Sequence, residues 1–189
     1  MRSFLRRTRP YSMAMVILVA SFLSFAAPVV FAAPQGHACD LPQSLQHEIA
    51  EKYPGASVVG LQDLASDDVK FFRHDHGNAC PGLARADFFG NGEPTLAVVL
   101  VVKNEEKNHT QLIVAHEVAT AWHVTLLDTG GPSPYAPVVW SQPPGKYTDV
   151  DNGKIIRAVH PVFVFCGYEA FAIVYAWTGK KVDKVWIMD

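Results

Sequence analysis

Glu169-Ala170-Phe171-Ala172-Ile173-Val174-Tyr175-Ala176-Trp177 is the stretch whose reading decides the fold. Phe171, Ile173, Tyr175 and Trp177 alternate with Ala170, Ala172, Val174 and Ala176, the two-residue period of a β-strand. One face is large and the other small, so the small face is expected to be closely covered, by the helix read at the N-terminus. Upstream, the apolar run Val162-Phe163-Val164-Phe165 ends in Cys166. Downstream, Thr178-Gly179-Lys180-Lys181 turns the chain into Val182–Met188. The three segments read as an antiparallel meander.

Working back from there, Thr95–Val102 is almost wholly Val, Leu and Ala, which predicts a central strand covered on both faces. Thr110–Val118 and Ala121–Leu127 follow as strands, with residues 104–108 as a polar turn. Residues 130–153 read as a long Pro/Gly-rich connection, and Ile155–His160 as a short strand. Toward the N-terminus, Leu41, Leu45, Ile49 and Tyr53 recur every four residues and predict a helix from Asp40, stopped by Pro54-Gly55. Ala56–Leu61 reads as a short strand. Ser66-Asp67-Asp68 reads as the acid-rich start of a second helix ending near Phe72. Helices first and strands after predict an α+β fold: a mainly antiparallel sheet of about six or seven strands with an N-terminal helix packed on one face.

Residues 1–32 have the order of a secretory signal peptide. Arg2, Arg6, Arg7 and Arg9 precede the apolar run 13–25, and Val30 and Ala32 are small at the two positions a signal peptidase inspects for a cut after Ala32. The alternative is an uncleaved N-terminal membrane anchor over 13–33, against which Pro28 argues. The expected product is one exported α+β domain, residues 33–189, periplasmic or secreted, related to a membrane only through its export signal. The chain has 16 basic and 18 acidic residues. Loss of four arginines leaves that domain net acidic, which disfavours nucleic acid as a partner.

Three cysteines in an oxidising compartment imply one bridge and one thiol left over. Cys39 and Cys80 lie in polar, loop-like surroundings, whereas Cys166 ends an apolar run. Cys39–Cys80 is the expected pair and Cys80–Cys166 the alternative. Either closes a long loop and contributes about 3–4 kcal/mol.

Few stretches carry chemistry. His74-Asp75-His76 precedes Cys80, and two imidazoles on a folded-back loop suit Zn²⁺ or Cu²⁺. Asp87-Phe88-Phe89-Gly90-Asn91-Gly92 has part of a calcium loop in Asp87, Asn91 and Gly92, but the middle ligand position is Phe89. A metal site would draw on His74, His76, Asp87 and Asn91, with Ca²⁺ or Zn²⁺ as the ion. His116-Glu117 lacks the second histidine a zinc-protease helix needs, since position 120 is Thr120. No nucleophile elbow or phosphate loop is present. Tyr135, Trp140 and Tyr147, on the proline-rich connection, suit contacts to a protein, peptide or glycan in the envelope.

Asp75-His76, Cys80-Pro81-Gly82 and Ala86–Gly92 before an apolar strand, with the ending Tyr175–Gly179 and Val185–Asp189, resemble exported bacterial proteins of unknown function with an FG-GAP/VCBS-like turn. The resemblance implies a small exported domain, a Ca²⁺ turn in well-formed members, and no established activity. The expected function is therefore non-enzymatic binding or an envelope-associated role. The alternative is a metal-binding protein or metal-dependent enzyme built on His74 and His76.

Overall fold

The computed structural model describes residues 38–103 and 108–188. The expected signal peptide and residues 104–107 of the expected turn lie outside the described residues, while Asn108, read with that turn, opens a strand. Two helices, α1 (Gln43–Lys52) and α2 (Ser66–His76), accompany eleven strands. The strands are β1 (Ala56–Val58), β2 (Leu83–Ala86), β3 (Thr95–Lys103), β4 (Asn108–Val118), β5 (Ala121–Ser133), β6 (Val138–Gln142), β7 (Gly145–Thr148), β8 (Ile155–Ala158), β9 (Val162–Gly167), β10 (Phe171–Trp177) and β11 (Val182–Met188).

The α+β expectation is thereby corrected: the fold is mostly β, with three antiparallel sheets in place of one. The five-stranded sheet runs β1-β3-β4-β5, with β2 sharing the β3 edge used by β1. The four-stranded sheet runs β11-β10-β9-β6, and β7 and β8 form a separate ribbon. The connection read as loop accounts for part of the miss, because it contains β6 and β7. Pro137 and Pro143 bracket β6, an edge strand, where a missing N–H is tolerated.

β3 is buried on both faces from Thr95 to Val101. Ala97, Val99 and Val101 point into the large core shared with the four-stranded sheet. Leu96, Val98 and Leu100 point the other way, where Leu41, Leu45 and Ile49 of the α1 segment cover them. The N-terminal helix therefore packs on β3 and β4, and the expectation that it covers β10 is corrected. The pleat of β10 shows what lies there instead. Tyr175 stands opposite Phe163, Phe163 stacks on Phe88 at 5.0 Å, and the Tyr175 hydroxyl reaches Asp128 on β5. The large face thus meets the five-stranded sheet. Val174 stands opposite Val164, and Val164 opposite Trp140. Trp140 packs through His76 onto Phe72 of α2. The small face is covered by α2 and, through Ile156 and Ala158, by the β7–β8 ribbon.

β5 continues past its expected end through Gly130, Gly131 and Pro132 to Ser133. It is an edge strand, paired only with β4 among the described residues. That edge position makes glycines and a proline acceptable inside a strand.

Candidate functional site

Cys39 and Cys80 are bridged, and Cys166 is a buried free thiol whose pKa burial pushes up to about 12. Cys80 is therefore not a thiolate ligand. α2 runs on to His76, so His74 and His76 sit on a helix. Residues two apart on a helix point to nearly opposite sides, and the structure separates them accordingly. His74 is exposed, with Nδ1 2.7 Å from Asp75 Oδ1. His76 turns inward, its ring 4.9 Å from Phe72 and 4.9 Å from Trp140. Burial lowers its pKa against the pull of Asp75. Asp87 holds its own turn, accepting from the N–H of Asn91 at 3.0 Å and of Gly92 at 3.2 Å. The Asn91 side chain accepts from the Glu93 N–H at 3.0 Å. Among the described residues no three His, Cys, Asp or Glu side chains gather as a metal shell.

The three aromatics of the proline-rich connection part company. Trp140 is on β6 beside His76. Tyr147 is on β7, its hydroxyl donating to the Pro143 carbonyl at 2.7 Å. Trp140 lines a cavity with Phe72 and His76, and Tyr135, 53% exposed, borders another.

That cavity, about 270 Å³, is walled by Tyr135, Tyr168, Phe171 and Asp68, with Gly130 and Gly131 along one side. A second, about 220 Å³, shares Gly130, Gly131 and Phe171. It extends over Ile173, Lys184 and Trp186. The two form one cleft beside the free edge of β5. Both glycines line the two cavities. A Cβ on Gly131 would meet nothing within 4 Å, whereas one on Gly130 would lie 2.0 Å from Thr110 Oγ1.

The two ends of the cleft differ in charge. At the first, Tyr168 has its hydroxyl buried with no hydrogen-bond partner among the described residues. Burial, then neighbouring anionic groups, pushes its pKa to about 12. Phe71, 47% exposed, packs against the Tyr168 ring at 6.0 Å. The Asp68 pKa is raised by partial burial and by the charges of Glu169 and Asp67. This end is therefore aromatic and acidic. At the second, Asp128 accepts from Lys184 Nζ at 2.8 Å, from the Thr129 N–H at 2.8 Å and from the Tyr175 hydroxyl. Burial pushes the Asp128 carboxyl up, but these donors outweigh it and hold the pKa below the usual carboxylate value. Burial and the Asp128 charge push the Tyr175 phenol up. The cluster is an internally satisfied clamp between the two sheets.

Sequence reading missed Asp68, Tyr168, Phe171, Asp128 and Lys184 as one site, because they come from α2, β5, β10, β11 and the turn before β10. The one local signal was the Gly130-Gly131 pair, read as part of a connection but placed inside β5, where glycine marks close approach of another group. Comparison of the chain with protein-family models, curated proteins and solved structures gives no match. No helix among the described residues is long and apolar enough to cross a membrane.

Proposed function

We propose that the protein is an exported, non-enzymatic domain that binds an extended polypeptide segment of an envelope or extracellular partner. The observation that carries this reading is the pair of cavities meeting at Gly130-Gly131 on the unpaired edge of β5. A segment lying along a sheet edge presents alternate side chains to adjacent pockets. The cavity of Asp68, Tyr135 and Tyr168 suits a basic side chain, through its carboxylate, its aromatic faces and the Tyr168 hydroxyl acceptor. The cavity of Phe171, Ile173 and Trp186 suits an apolar one. The net acidity of residues 33–189 favours a basic segment. The Cys39–Cys80 bridge supports an oxidising destination.

Display selection from a random peptide library tests this. The expected winners carry Lys or Arg two positions from an apolar residue. They lose binding on Gly131→Trp, which fills the cleft without touching the core. They weaken roughly tenfold on Asp68→Asn, the loss of one charged hydrogen bond. Winners that bind Gly131→Trp as well as the unaltered protein, or no enrichment at all, would sink the reading.

A further inference from the structure

β4 and β5 are joined by a two-residue turn, so residues equidistant from it stand opposite one another. His116 and His123 are such a pair. Their rings lie 5.6 Å apart and within 28° of parallel. Opposed side chains on one sheet face have Cβ atoms about 4.5–5.5 Å apart. From there two imidazoles can swing one nitrogen each to a shared cation at about 2.0–2.1 Å. Thr95 of β3 stands opposite His116 on its other side. Thr95, His116 and His123 therefore form a row across three strands. His116 Nδ1 and Thr95 Oγ1 are buried and without a hydrogen-bond partner among the described residues. Buried polar atoms are almost always satisfied, so two orphans in neighbouring side chains point to a missing occupant. Phe89 packs edge-on to His116 at 4.7 Å and against Trp177 at 5.1 Å, roofing one side of the row. His123 is exposed, which leaves the other side open to solvent.

We infer that His116 and His123 form a two-imidazole binding site for a divalent first-row transition cation, with the Thr95 hydroxyl beside it and water in the remaining positions. Cu²⁺ is the preferred ion, because imidazole ligands suit it and it binds most tightly in the divalent series. The site lies near the opposite end of β5 from Gly130-Gly131 and is independent of the peptide cleft. The same two histidines stand seven apart in sequence, which on a helix would set them about 10.5 Å apart along the axis. The hairpin alone brings them together.

Titration of the full chain with Cu²⁺, followed by calorimetry and electron paramagnetic resonance, tests the site. The expected result is one tight equivalent with two nitrogen donors. His123→Ala, an exposed strand position, weakens that equivalent by at least the roughly tenfold that loss of an outer-shell partner costs. His116→Asn, which keeps a polar group in the half-buried position, does the same. His74→Ala leaves it unchanged. No tight equivalent in the unaltered protein, unchanged affinity in His123→Ala, or loss with His74→Ala instead would each overturn the assignment.

Discussion

Asp128 gathers three donors from three elements, and its neighbours can be tested one atom at a time. Tyr175→Phe removes one charged hydrogen bond while keeping the ring in the core. For this partly solvated carboxylate the expected cost is about 1–2 kcal/mol in urea denaturation. The depressed Asp128 pKa makes a further prediction. A carboxylate held low in the folded state stabilises above its unfolded pKa, near 4, and that stabilisation is lost as pH falls through the lower folded value. Melting temperature followed from about pH 6 to about pH 2 should therefore drop more steeply for the unaltered protein than for Asp128→Asn. Gly130→Ala should cost roughly 1–3 kcal/mol by overpacking against Thr110, while Gly131→Ala should stay within roughly 0.5 kcal/mol. Little of this was legible in the sequence. Asp128 reads as the residue after a strand, and its partner Tyr175 is 47 positions away. No local pattern encodes a side-chain pair at that distance.

Elements were more legible where burial imposes a period. β3 reads from its unbroken apolar run and β10 from its strict alternation, because both are fully packed on the two sides. α1 reads from its four-residue apolar spacing. The end of α2 was misplaced because the polar run Arg73-His74-Asp75-His76 has no apolar period, and only Gly77, at φ 62°, stops the helix. β6 and β7 were missed because short edge strands among prolines carry turn-like composition. The β4–β5 turn shows a different kind of misfit. Ala119 and Thr120 hold φ of 58° and 114°, a region that suits Asn or Gly and disfavours a β-branched residue. Thr120→Gly should relax it and raise stability by roughly 1 kcal/mol in thermal denaturation. An unchanged or lowered melting temperature would show that the turn is held without strain.

On the scale of the whole molecule, the chain builds two cores on opposite faces of one sheet. The smaller depends on the α1 segment, which the Cys39–Cys80 bridge fastens to the loop before β2. Cys39→Ser with Cys80→Ser opens a loop of 41 residues and should cost about 4 kcal/mol by chain entropy. Protection of α1 amides from hydrogen exchange should fall first, because that helix covers only one sheet face. The choice between pairings was legible in composition, since an apolar run before Cys166 marks a strand and polar surroundings mark a loop. The sheet arrangement was not, because the contacts that stack two sheets are made by residues far apart in the chain. Cys166 itself sits in β9 between two covered faces, so no oxidant or sulfur partner reaches it once the four-stranded sheet is closed. Before that closure all three thiols are equivalent competitors. The hazard of mispairing is thus confined to the nascent chain: whichever of bridge and sheet forms first decides between a productive molecule and a trapped one. Cys166→Ala should accelerate oxidative refolding without altering the final bridge.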